Sequence, residues 1–161
     1  MAEGSLTIEI ESSVEAQRLW NAMVKDEHNL LPQQAPQIIS GVTFVHGDGG
    51  VGSIKQFNFT PVNKDFSYVK ERVDEVDEAN FVYSCSHVEG GLLGKRVASA
   101  KFQQKYIPKS EGGCKFVWRC DYESLPGVEH EEDKVQEAKD NITALFRMLE
   151  AYLISNPGLY C

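Results

Sequence analysis

Leu6, Ile8 and Ile10 alternate with Thr7 and Glu9, a period of two that predicts a first strand with one buried face. Ser12-Ser13-Val14-Glu15 has the spacing of a capping box and predicts a short helix carrying Ala16, Leu19, Trp20 and Met23. Asn29-Leu30-Leu31-Pro32 permits a second helical turn, stopped by Pro36. From Ile38 to Tyr122 the period stays near two and predicts strands at 39–45, 53–60, 66–73, 81–88, 96–107 and 115–122. Turn signals at 47–52, 61–65, 74–80, 89–94 and 108–113 separate them, and such short connections favour an antiparallel meander. The period then changes. Val135, Ala138, Ile142, Leu145, Leu149 and Tyr152 step by three and four, forming one apolar stripe that Asn156-Pro157-Gly158 ends. A long amphipathic helix beside a single wide sheet predicts a two-layer α+β fold, one domain spanning 1–161.

Strand alternation also assigns faces. Phe66, Tyr68 and Arg72 share one; so do Phe81, Tyr83, Cys85 and His87; so do Ala100, Phe102 and Gln104; and so do Cys114, Phe116, Trp118, Cys120 and Tyr122. These walls are aromatic but carry hydroxyls, thiols, an imidazole and a guanidinium. A dry core avoids such groups, because a buried polar atom without a partner costs ~1–3 kcal/mol. Polar tips on an aromatic wall point to a wet or ligand-filled pocket.

The run Gly47-Asp48-Gly49-Gly50-Val51-Gly52-Ser53-Ile54-Lys55 is the most distinctive local signal. A phosphate-gripping loop needs Lys directly after the last glycine and a helix behind it. Here Ser53-Ile54-Lys55 leads into Phe57 and Phe59, a strand pattern, so the run reads as a glycine-rich hairpin.

Composition narrows the partners. The 161 residues carry a formal net charge of −8, unlike a protein built to hold a phosphate backbone. Residues 121–140 hold eight acids against two lysines, a solvated helix start with acids at its positive end. The N-terminal residues lack a signal-peptide pattern, and no apolar run is long enough for a membrane span. Cys85, Cys114, Cys120 and Cys161 form no CxxC pair, and Cys114 and Cys120 lie ~20 Å apart along one strand. Free thiols in a cytoplasmic protein, with no metal and no cofactor, are expected. His28, His46 and His130 share no ligand spacing, and His87 stands alone on its strand.

The glycine run, together with Tyr68-Val69-Lys70-Glu71-Arg72-Val73-Asp74, Val88-Glu89-Gly90-Gly91, Glu150-Ala151-Tyr152-Leu153 and Asn156-Pro157, resembles the plant pathogenesis-related class-ten proteins, the birch major pollen allergen (Bet v I) family. The match runs in order through essentially the whole chain and has a monocot character. The resemblance implies a helix-grip fold: a curved seven-stranded sheet around a long C-terminal helix, two short helices, and a large cavity for apolar plant metabolites such as flavonoids, cytokinins, sterols or fatty acids.

The chemistry proposed for relatives transfers in part. For ribonuclease activity the resemblance matches Lys55, Glu150 and Tyr152, but the strand carboxylate is Ala98. For amine–aldehyde condensation, as in norcoclaurine synthase, Glu71 matches; the carbonyl-activating lysine falls near Tyr83-Ser84 and the partnering tyrosine near Val69. The gate of the abscisic-acid receptors is not matched by Gly90-Gly91-Leu92-Leu93-Gly94. The expectation is therefore a defence-linked carrier or store of hydrophobic small molecules, a monomer or at most a weak dimer, with no nucleic-acid or membrane partner. Its lining is expected from Phe57, Tyr68, Tyr83, Cys85, Phe102, Phe116, Trp118, Asn141, Ile142 and Leu145, with Tyr83 and Asn141 orienting the guest. Gly47, Gly49, Gly50, Gly52 and Lys55 form the loop. The alternative is an enzyme of specialised metabolism, condensing or isomerising, with Glu71 or His87 as proton carrier, or a weak ribonuclease.

Overall fold

A computed structural model describes residues 2–128 and 131–161; Met1 and the acidic-segment residues Glu129 and His130 lie outside it. Strand β1 (Ala2–Ser12) leads through two short helices, α1 (Ala16–Trp20) and α2 (Glu27–Gln34), into six strands: β2 (Ile39–His46), β3 (Ile54–Phe59), β4 (Tyr68–Asp77), β5 (Val82–Gly90), β6 (Val97–Pro108) and β7 (Cys114–Ser124). Helix α3 (Glu132–Ser155) closes the chain. The strands form one antiparallel sheet in the order β1-β7-β6-β5-β4-β3-β2. Only the β1–β7 pairing departs from a plain meander, bringing Ile8 opposite Trp118 and Ile10 opposite Phe116. This is the two-layer α+β fold that the periodicities predict, in the helix-grip form that the resemblance implies. Among the described residues no helix is long and apolar enough to cross a membrane.

The capping box does not form. Ser12 Oγ accepts the Val14 N–H at 3.1 Å, and Glu15 makes no cap bond of its own. Glu15 Oε1 instead accepts the Gly113 N–H at 3.0 Å, tying the start of α1 to the β6–β7 turn. Gly113 has φ of 83°, and a side chain there would strike the Ser12 carbonyl oxygen, so glycine is required. Beyond α1 the helix widens into one π-type stretch, Asn21–Lys25. Trp20 is fully buried there, packed on Phe81 at 5.7 Å and edge-on to Tyr106 at 6.0 Å. The second helix is longer than its sequence signal, with Pro32 inside it.

Strand β4 alternates as expected but turns the opposite face inward. Val69 and Val73 are buried, on the face that also carries Glu71, and the β3 residues opposite Val69 and Glu71, Phe57 and Lys55, are buried with them. Tyr68 and Arg72, expected inside, face outward: Tyr68 donates to Glu89 Oε2 at 2.8 Å and Arg72 pairs with Asp74 at 2.8 Å. Glu71 takes the inward place. The glycine-rich run is the β2–β3 turn, with Gly47, Gly49 and Gly52 at positive φ. Ser53 Oγ accepts the Gly49 N–H at 2.9 Å, and Gly52 N–H donates to the Val73 carbonyl at 2.8 Å, pinning the turn against β4.

The α3 stripe is rotated from the expected set. Phe146, Leu149 and Leu153 are buried, whereas Val135, Ala138, Ile142 and Leu145 are only half-buried. Phe146 stacks on Phe116 with ring centres 4.5 Å apart and planes 18° from parallel. Helix and sheet therefore mesh along the C-terminal half of α3.

Candidate functional site

Toward the N-terminal half of α3 the two layers part, leaving a cavity of about 230 Å³. Its floor is β6 and β7, through Ala100, Phe102, Trp118, Cys120 and Tyr122; Val135 and Ala138 of α3 roof it. Leu6, Phe66, Leu92, Val97 and Val128 complete the apolar lining. The strand residues point inward because period-two alternation places them on one face, and the helical pair sits three residues apart on one side of α3. At the rim Arg96 Nη2 meets Glu131 Oε1 at 3.5 Å, joining the approach to β6 to the approach to α3. Lys134 and Ser124 add the remaining polar groups of the margin.

Three rings run side by side along the wall. His87 lies 4.4 Å from Phe102, and Phe102 lies 5.6 Å from Trp118, all three bordering the cavity. His87 is also the start of a polar cluster that continues behind the wall. Its Nε2 is 3.1 Å from Glu71 Oε2, and Cys85 Sγ donates to Glu71 Oε1 at 3.5 Å. Register explains the pairing, since Glu71 and His87 are direct partners across β4 and β5.

Deeper still, Lys55 Nζ donates to Glu27 Oε1 at 3.1 Å, with side-chain exposures of 4% and 16%. The same ammonium stands 5.0 Å over the Tyr83 ring. Burial, opposed by the Lys55 charge, holds the Glu27 carboxyl above its usual range. For Lys55 burial works the other way, but the Glu27 carboxylate and its hydrogen bond prevail and keep the ammonium above its ordinary value. Burial pushes the Cys85 thiol well up, aided by the Glu71 and Glu27 charges, and raises the Tyr83 phenol likewise. Burial also lifts Cys120 to about 12. None of these thiols is poised as a nucleophile at neutral pH. All four cysteines are free.

Of the residues expected to line a pocket, the structure brings Phe102 and Trp118 to the cavity, together with His87. Phe57, Tyr83, Cys85 and Phe116 are buried in the packed core instead, and the Tyr83 hydroxyl finds no hydrogen-bond partner among the described residues. Ile142 and Leu145 pack against that core, Tyr68 lies on the outer face, and Asn141 is exposed on α3. Asn141 cannot orient a guest from there; the helix turns its apolar side, not this position, to the sheet. Gly47, Gly49, Gly50 and Gly52 stay in the β2–β3 turn, while Lys55 sits inside the protein. The expected set missed Ala100, Cys120, Tyr122, Val135 and Ala138. Cys120 and Tyr122 shared the Trp118 face by alternation, and Ala138 belonged to the helical stripe, so the signal was present.

Comparison with known proteins agrees with this architecture. The chain matches the pathogenesis-related protein Bet v 1 family over residues 1–156. It is 41% identical over 160 residues to pathogenesis-related protein 1 of Asparagus officinalis, covering 99% of both chains. The crystal structure of Ara h 8.0201 superposes with a TM-score of 0.82 at 25% identity, covering 96% of this chain and 99% of that one. Norcoclaurine synthase from Thalictrum flavum shares the fold, with a TM-score of 0.78 at 20% identity over 95% of this chain and 87% of the other. With sequence motifs, sheet order and helix grip in agreement, the chain belongs to the pathogenesis-related protein Bet v 1 family.

Proposed function

We propose that this protein binds a hydrophobic small molecule, as a carrier or store of a plant hormone, flavonoid or related metabolite with a role in defence. The observation that carries this reading is the apolar cavity of about 230 Å³ under the N-terminal half of α3. A cavity of ~150 Å³ lined by apolar side chains already admits benzene, so a two-ring guest is within reach. Burying ~200 Å² of its apolar surface contributes about 5 kcal/mol at 25 cal/mol per Å². Association entropy offsets much of that, so affinity in the micromolar range is expected. The protein acts in the cytosol on this reading, where its buried thiols stay reduced.

The test is a titration with a fluorescent naphthalene probe, repeated on Ala138→Trp and Ala100→Trp. Either indole fills the cavity from one of its walls. Loss of probe binding in both variants, with folding intact, supports the proposal. Unchanged binding in both would place the probe elsewhere and remove it.

The Glu71–His87 contact at 3.1 Å favours one second reading, an enzyme using the same cavity with this pair as proton carrier. Product formation from candidate substrates would then vanish in His87→Ala and Glu71→Gln. Lys55 is not available as a Schiff-base amine, being protonated and paired with Glu27. The same burial keeps it from a polynucleotide, which removes the loop cation that a ribonuclease reading requires.

A further inference from the structure

Of the three rings side by side along the cavity wall, His87 is the one with an acceptor to offer, and its contact with Glu71 fixes how the ring is turned. A carboxylate only accepts hydrogen bonds, so the 3.1 Å contact with Glu71 Oε2 requires the proton on Nε2. Glu71 is itself fully engaged, since its other oxygen takes the Cys85 thiol. In the neutral ring Nδ1 is then an acceptor, and it has no hydrogen-bond partner among the described residues. The imidazole is fixed further by Phe102, whose ring centre lies 4.4 Å away, and Trp118 extends the same wall.

We infer that His87 determines which ligands this cavity selects: flat apolar molecules bearing a hydroxyl donor, received by His87 Nδ1 while the rings lie along Phe102 and Trp118. Glu71 is the positioning residue that, by accepting from Nε2–H, orients the ring and leaves Nδ1 as the acceptor of the neutral tautomer. This rests on the ligand-binding role proposed above and specifies its chemistry. Molecules that match in shape but lack the donor leave Nδ1 buried without a partner, and bind more weakly for that reason.

The experiment uses 2-naphthol and its methyl ether, 2-methoxynaphthalene, titrated by fluorescence into the full chain at a fixed neutral pH. Wild type is expected to prefer 2-naphthol by about threefold to tenfold, the range of one neutral hydrogen bond. In His87→Phe the preference collapses to about one, through weaker 2-naphthol binding, with the ether held as well as before or better. Glu71→Leu also loses the preference because the ring is free to change tautomer and turn, whereas Glu71→Gln, whose amide oxygen still accepts, retains it. A merely structural role for Glu71 would weaken both probes equally and leave their ratio alone. Should both probes bind wild type with equal affinity, or should His87→Phe keep the preference, the inference fails while the cavity reading stands. Should neither probe bind wild type, both fall together.

Discussion

Phe116 on β7 and Phe146 on α3 stack at 4.5 Å, and this contact divides the interior into a packed half and a hollow half. On one side Leu149 and Leu153 seal the helix to the sheet; on the other Val135 and Ala138 stand off from it. Phe146→Ala is expected to lower stability by about 3–5 kcal/mol, the range for a large aromatic removed from a core. Urea unfolding measures it.

The Tyr83 hydroxyl is buried without a partner among the described residues. Removing it should relieve a desolvation penalty while keeping the ring and its contact with the Lys55 ammonium. Tyr83→Phe is therefore expected to raise stability by about 1 kcal/mol or more. A fall in the denaturation midpoint would show that the hydroxyl is satisfied in solution.

Lys55 and Glu27 form a buried pair, and breaking such a pair costs more than the pair is worth intact. Lys55→Met is expected to destabilise by about 3–5 kcal/mol at neutral pH, with the double variant Lys55→Met, Glu27→Leu recovering most of it. The Glu27 carboxyl is already raised by burial, and losing the ammonium raises it further. A raised carboxyl favours the fold while protonated and disfavours it once ionised. The deficit of Lys55→Met should thus shrink as pH falls through the Glu27 titration, seen as converging melting temperatures of variant and wild type.

Three buried thiols set the alkaline limit. Burial lifts Cys114 to about 11, Cys120 to about 12 and Cys85 well above the ordinary value near 9. Above pH 9 the unfolded chain releases these protons and the folded chain keeps them, so the unfolded state binds fewer. Stability must fall with rising pH, by up to about 4 kcal/mol per pH unit when all three thiols contribute. Cys120→Ala should reduce that slope by about 1.4 kcal/mol per unit, measured by urea unfolding between pH 8 and about 10.5. The raised Lys55 ammonium acts in the same direction, its contribution being lost only as pH climbs through its own titration.

Local periodicity is a property of neighbouring residues, which is why the amino-acid sequence alone determined the strands, the long terminal helix and their two-layer pairing. Alternation along β7 already set Trp118, Cys120 and Tyr122 on one face, and the three-and-four spacing of α3 already marked Val135 and Ala138. What lies opposite a given face depends on how two elements approach, and no local pattern encodes that. With Phe116 stacked on Phe146 the hollow lies toward the start of α3, so Ile142 and Leu145 pack half-buried against the core and Asn141 is surface. Along β4 alternation holds, but Val69, Glu71 and Val73 rather than Tyr68 and Arg72 face inward, because pairing sets Val69 and Glu71 opposite the buried Phe57 and Lys55, a choice of face that alternation by itself leaves open. The Lys55–Glu27 pair joins positions on β3 and α2, and only the packing of that helix over the sheet excludes enough water to make the meeting of charges decisive.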